Sequence, residues 1–257
     1  MNAELPDRAA ASEEIVVFKD VVKSYDHRPV LDGVSFTIRD GEHISLCGES
    51  MSGKSTIFKI IAGLVQPESG EVRVFGRDIL NIGEREKQKH LQNIAMQFQS
   101  GALFDSMTVN ENIMFVLDET RHLPKKEKQG RIDHLLKGVN LLSARNKYPY
   151  QLSGGMKKRV AVARALAPTP RLALFDEPAA GLDPVTSARI VNLIKDLVAE
   201  HQMTIMVSTT DVQLAMRFST RFILLKNGHV HADAPWPELR DSDDEYARKF
   251  LSRALNA

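Results

Sequence analysis

Two glycines, Gly48 and Gly53, bracket Glu49-Ser50-Met51-Ser52 and are followed at once by Lys54, Ser55 and Thr56. Glycine at both ends lets successive backbone N–H groups turn toward one centre, and a helix that starts there adds the positive end of its dipole. Lys54 supplies a positive charge, and the Ser55 hydroxyl is a hard oxygen ligand for Mg²⁺. Such a cradle captures a chain of phosphates, so a nucleoside triphosphate is its natural guest. The flanks agree, because Ile44-Ser45-Leu46-Cys47 reads as a strand and residues 57–64 as a helix. Met51 is the awkward member, since a tight cradle drives a mid-loop residue to positive φ at about 1 kcal/mol.

A second set of chemical groups closes the apolar run Leu172-Ala173-Leu174-Phe175, which ends in Asp176-Glu177-Pro178. Beside a phosphate loop, Asp176 would hold the metal through water and Glu177 would polarise the water that attacks the terminal phosphate. Taken alone, the same residues are a polar strand end. Between the two sets lies Leu152-Ser153-Gly154-Gly155 with Met156-Lys157-Lys158-Arg159 behind it. By itself, Ser-Gly-Gly is a flexible turn.

Hydrophobic spacing gives the elements that must position these groups. Ile15-Val16-Val17-Phe18 and Val34-Ser35-Phe36-Thr37-Ile38 read as strands, with Tyr25 between them and a turn at 39–42. Ile57, Ile60, Ile61 and Leu64 share one helix face at i, i+3, i+4 and i+7, as do Ile132, Leu135, Leu136 and Val139. Residues 66–70 end the first of these helices. Strands follow at 71–76 and 94–98, and from about 106 to 148 the pattern is helical only. A helix beginning near Met156, the strand 172–175, a helix after Pro184 with Ile190, Leu193, Ile194 and Leu197 on one face, the strand 204–207, a helix at 212–218 and a hairpin at Asn227-Gly228 complete the alternation. Strand and helix taking turns specify an α/β chain with a mostly parallel sheet. The expected division is a disordered tail at 1–13, one nucleotide-binding domain at 14–235 with a helical part at about 100–168, and a terminal piece at 236–257. That last piece holds the acidic run 241–245 and a short helix.

A chain of 257 residues, 43% of them hydrophobic, can bury the core of one large domain. Its 34 basic and 33 acidic residues leave a net charge of +1, so no strong field draws nucleic acid or anionic lipid. The basic clusters at 125–128 and 157–159 read as solvated helix faces. Cys47 is the only cysteine and cannot form an internal disulfide, which fits a reducing compartment. Residues 1–8 lack the basic-then-apolar pattern of a signal peptide, and no apolar run reaches 18 residues. Any membrane role is expected to run through a partner.

In their order along the chain, the phosphate loop, residues 152–159 with Ala163-Arg164-Ala165-Leu166-Ala167, and Leu174-Phe175-Asp176-Glu177-Pro178 resemble the ATP-binding-cassette (ABC) ATPases over about residues 15–233. The resemblance implies a P-loop NTPase nucleotide-binding domain with a mostly parallel core, an antiparallel β lobe and a helical insertion. It implies ATP and Mg²⁺ as cofactors, with residues 48–56 on the phosphates and Ser55, Gln99 and Asp176 on the metal. It also implies a second copy of the chain, whose Ser153, Gly154 and Gly155 cap the γ-phosphate held at Lys54. Tyr25 matches the aromatic that stacks on adenine, or is a core aromatic. Gln99 matches the glutamine that contacts Mg²⁺ and the attacking water, or is a loop amide. Asp183, in Gly181-Leu182-Asp183, matches the loop that communicates between the two sites and also suits a helix cap ahead of Pro184. The family's histidine after the strand 204–207 is absent. Thr210 stands there, with a hydroxyl that carries no imidazolium charge and would also serve as an N-cap.

Residues 98–109, Phe98-Gln99-Ser100-Gly101-Ala102-Leu103-Phe104-Asp105-Ser106-Met107-Thr108-Val109, are similar to the ATPase subunits of bacterial MCE-linked phospholipid transporters of the Mla type. This narrower likeness implies an integral membrane permease and an MCE-domain lipid-binding subunit as partners, with the chain peripheral on the cytoplasmic side of the inner membrane. Leu103, Phe104 and Met107 would form a groove for a permease helix, or a satellite hydrophobic cluster. An ATPase for another solute, and a nucleotide-binding scaffold with weak hydrolysis, are the alternatives.

Overall fold

The computed structural model describes residues 13–255, and side chains as far as residue 250. The expected tail therefore lies outside the described residues except for Glu13. That residue belongs to the fold, its carbonyl accepting from the Asp40 N–H at 2.9 Å and its carboxylate pairing with Arg171.

Two long strands, β1 (Glu14–Tyr25) and β2 (Arg28–Arg39), pair antiparallel across the two-residue turn Asp26-His27. Both turn residues take positive φ, 49° and 60°, the geometry that matches strand twist, reached here without glycine. The strand expected at 15–18 thus runs on to Tyr25. β3 (His43–Gly48) leads into α1 (Lys54–Ile61), which buries Ile57, Phe58, Ile60 and Ile61, each worth about 1.5–3 kcal/mol of apolar transfer. The helix stops a turn earlier than its apolar spacing predicts. The Gly63 N–H returns to Ile60 O (2.9 Å) and the Leu64 N–H to Lys59 O (2.8 Å), a paired C-cap that leaves Leu64 exposed. β4 (Ser69–Val74) and β5 (Arg77–Asp78) complete an antiparallel sheet in the order β2-β1-β4-β5. α2 (Glu84–Leu91), whose sequence EREKQKHL shows no apolar stripe, is an element that spacing does not reveal.

The second sheet has the order β10-β9-β3-β8-β7-β6, formed with β6 (Ile94–Gln97), β7 (Leu172–Asp176), β8 (Thr204–Thr209), β9 (Arg221–Lys226) and β10 (His229–Pro235). It is parallel throughout except for the β9–β10 hairpin at Asn227-Gly228, which forms as expected. Central strands are buried on both faces. Leu172 and Leu174 of β7 face α1 and the antiparallel sheet, while Ala173 and Phe175 face the helical side. The helical part comprises α3 (Val109–Thr120), α4 (Lys125–Gly138) and α5 (Gly154–Leu166), with no strand among the described residues between β6 and β7. Its core joins that of α6 (Pro184–His201) and α7 (Val212–Phe218). α8 (Trp236–Arg240) and α9 (Glu245–Leu255) pack over β9 and α7 through Leu239, Ala247 and Phe250. Among the described residues no helix is long and apolar enough to cross a membrane.

Candidate functional site

The carboxyl ends of parallel strands β3, β7 and β8 meet where α1 begins. β3 delivers Gly48 against the backbone of β9, and a Cβ there would lie 2.6 Å from the Leu225 carbonyl oxygen. Gly53, at φ 103°, is the N-cap of α1, and a Cβ there would lie 2.6 Å from Leu31 Cδ2 and 2.9 Å from the Val30 carbonyl. Between them Glu49, Ser50 and Met51 are exposed, and Met51 sits at φ 64°, as the tight loop requires. Ser52 and Thr56 are buried and Ser55 half-buried. Lys54 is buried, and its ammonium donates to the carbonyls of Gly48 and Glu49, both at 2.8 Å.

Asp176 ends β7, one strand beyond β8 from β3, and Glu177 follows it. Burial lowers the pKa of Lys54, with the charges of Glu177 and Asp176 opposing. Burial likewise pushes the Glu177 carboxyl above the usual range, against the opposing charge of Lys54 and reinforced by Asp176. These three groups share one electrostatic neighbourhood. A carboxylate with a raised pKa accepts a proton more readily, the property asked of a base that polarises water. Glu177 also stands at φ 50°, an uncommon conformation for a residue with a side chain.

Ser208, which no motif singles out, donates from Oγ to Asp176 Oδ1 at 2.6 Å and accepts from the Glu177 N–H at 3.1 Å. Sequence reasoning misses it because only the β7–β8 register, Asp176 opposite Ser208, brings the two together. The expected N-cap role of Thr210 is corrected. Asp211 caps α7, accepting from the Leu214 N–H at 3.0 Å, and Thr210 is an exposed residue before it. Asp211 wins because its carboxylate stands one residue closer to the helix, where it reaches the third N–H of the first turn.

Gln99 lies exposed just past β6, while its neighbour Gln97 is buried, with Oε1 unpartnered among the described residues. Tyr25 ends β1 exposed rather than in the core, with the Lys23 ammonium 5.2 Å from its ring centre. Ser153 caps α5, its Oγ accepting from the Met156 N–H at 3.3 Å, so Ser153, Gly154 and Gly155 form an ordered helix start. That start touches the 181–183 loop of the same chain, because a Cβ on Gly155 would lie 3.1 Å from Leu182 Cδ2. Lys158 donates to the Ala180 carbonyl. Asp183 caps α6, accepting from the Thr186 N–H at 2.9 Å, and the hydrogen bonds from Thr186 hold its carboxyl below the usual range.

These residues fit a magnesium nucleotide. At both glycines a Cβ would collide with protein atoms, so the loop packs this closely only with glycine there, and the Ser52 Oγ is buried without a partner among the described residues. Ser55, Gln99 and Asp176 are hard oxygen donors of the kind Mg²⁺ takes.

Residues 31–180 match the ABC transporter family. The methionine import ATP-binding protein MetN of Mesorhizobium japonicum is 35% identical over 95% of this chain and 67% of its own length. Protein TRIGALACTOSYLDIACYLGLYCEROL 3, chloroplastic, of Arabidopsis thaliana is 41% identical over 72% of this chain and 56% of its own. This chain therefore spans about two thirds of the first relative's length and little more than half of the second's. Among solved structures, a dimeric post-hydrolysis state of the ATP-binding cassette MJ0796 bound to ADP and Pi superposes with a TM-score of 0.81. It is 34% identical and is matched over 86% of this chain and 98% of its own. Likeness to a phospholipid-transport subunit of the Mla type is not what the relatives' names support, since methionine importers recur among them. Strand order, the phosphate cradle with its facing carboxylates, and these matches together make the chain a member of the ABC transporter ATPases.

Proposed function

We propose that the protein binds Mg-ATP between the phosphate loop of one copy and the Ser153-Gly154-Gly155 turn of a second, and hydrolyses it to drive a membrane permease. The observation that carries this reading is the shared electrostatic neighbourhood of Lys54, Asp176 and Glu177 at the carboxyl ends of β3 and β7, the two strands that flank β8. Residues 48–56 bind the phosphates by N–H groups, and Lys54 adds a charge. Ser55, Gln99 and Asp176 would hold Mg²⁺, whose chemistry is to neutralise charge on the phosphate oxygens. Glu177 polarises the attacking water, Tyr25 lies on the adenine, and Asp183 links the site to the Ser153-Gly154-Gly155 turn. Thr210, exposed just past β8, offers the terminal phosphate a hydroxyl. The test is ATP turnover by the complex with its permease. Glu177→Gln is expected to lower kcat by about 100-fold or more, as loss of a general base does, with ATP affinity retained. Equal rates would overturn the role of Glu177.

For the cargo, names among the relatives support a solute of the amino-acid class, such as methionine. The chain would then sit peripherally on the cytoplasmic side of the membrane. A second reading, phospholipid as cargo with an MCE-domain subunit, is favoured by the Arabidopsis relative, whose name is that of a glycolipid, and by the likeness of residues 98–109. The cargo that raises turnover of the reconstituted complex, amino acid or phospholipid, decides between them. Under either reading the permease helix docks on the exposed edge-to-face pair Phe104–Phe115, whose centroids lie 5.2 Å apart, whereas Leu103 packs inward on the helical core.

A further inference from the structure

Ser208 lies in β8 after three apolar residues, Ile205, Met206 and Val207, and like them is fully buried. A strand in the middle of a parallel sheet has no packing reason to carry a hydroxyl. This hydroxyl is fully engaged in the site. Its proton goes to Asp176 Oδ1 at 2.6 Å, the length of a charge-assisted bond, and its lone pair takes the Glu177 N–H at 3.1 Å. The same N–H also lies 3.2 Å from the Ser208 carbonyl, so one residue of β8 holds the backbone of Glu177 twice. Glu177 has φ 50°, a conformation that strains a residue with a Cβ and persists only where surrounding bonds fix it.

We infer that Ser208 is a positioning residue for hydrolysis, its single hydroxyl fixing both the rotamer of the metal-side carboxylate of Asp176 and the backbone that aims Glu177. The inference rests on the proposed hydrolytic function. With Oδ1 committed to Ser208, the other oxygen of Asp176 is the one that would serve a bound metal. Removing the hydroxyl frees the Asp176 carboxylate and leaves the Glu177 N–H with the Ser208 carbonyl alone.

The test compares Ser208→Ala, Ser208→Thr and Ser208→Cys in the permease complex by two measurements. One is steady-state ATP turnover; the other is Mn²⁺ affinity of the ATP-bound protein, followed by the spin-resonance signal of free Mn²⁺. Outer partners of metal ligands typically control about 10–100-fold in affinity or rate. Ser208→Ala is expected to weaken Mn²⁺ binding about tenfold and to lower kcat about tenfold or more, with KM for ATP within about twofold. Ser208→Thr, which keeps the hydroxyl, restores both. If Ser208→Ala does not fold, Ser208→Cys carries the test, because it keeps the shape with a weak donor and is expected to lose Mn²⁺ affinity in the same direction. Unchanged Mn²⁺ affinity and kcat in a folded Ala or Cys variant would overturn the inference. Glu177→Gln measured alongside reports on the hydrolytic reading separately, since that reading survives an inert Ser208 and falls if Glu177→Gln turns over at the parent rate.

Discussion

Met51 sets the tone at the residue scale. Its backbone takes φ 64° while its side chain is 98% exposed, so the loop needs the conformation and nothing from the thioether. Met51→Gly is therefore expected to keep ATP turnover within about twofold and stability within about 1 kcal/mol of the parent, the scale of the left-handed penalty for a residue with a Cβ. A large loss of nucleotide affinity in that variant would show that the side chain touches the nucleotide. The residues legible in the sequence are those whose type and spacing are themselves the chemistry, Lys54 after two glycines and Asp176-Glu177 at an apolar strand end. Ser208 is illegible for a physical reason. Its partner is 32 positions away, and only strand register, a tertiary fact, sets the two side by side.

At the scale of elements, the segment after β6 is ordered by one amide and one guanidinium. Asn112 on α3 is fully buried. It accepts from the Phe104 N–H at 2.8 Å and donates to the carbonyls of Phe104, Met107 and Thr108 at 3.0–3.1 Å. Arg164 on α5 donates to the carbonyls of Gly101 and Ala102 at 3.0 and 2.8 Å. The Thr108–Glu111 capping box then starts α3, tying the loop to the helix it enters. Asn112→Ala removes the side-chain partner of the part-buried Phe104 N–H and Met107 carbonyl and is expected to cost about 1–3 kcal/mol, read as a lower unfolding midpoint in denaturant. Because the loop joins Gln99 to the exposed Phe104, the same variant should uncouple permease stimulation from basal turnover. A midpoint unchanged from the parent would contradict the anchoring role. Elements with a clear apolar stripe, such as α4 and α6, are readable from spacing, whereas α2, polar but for Leu91, and the cap that ends α1 at Gly63 are set by local contacts that periodicity does not encode.

At the scale of the whole molecule, two hydrophobic cores lie on opposite faces of one parallel sheet. One backs the phosphate loop, and the other backs the helices that carry Ser153. The α/β class and helical insertion follow from the alternation in the sequence, and the antiparallel lobe is legible in β2, while the turn at Asp26-His27 has no glycine to announce it. Ser153 and Gly154 are exposed at an ordered helix start, and Gly155 is half-buried against Leu182. A second copy is therefore needed to complete the site. Sedimentation of the Glu177→Gln protein tests this most directly. Mg-ATP is predicted to convert it from monomer to dimer, and Mg-ADP to leave it monomeric. A protein that binds Mg-ATP and yet stays monomeric at every concentration reached would contradict the claim that nucleotide is held between two copies.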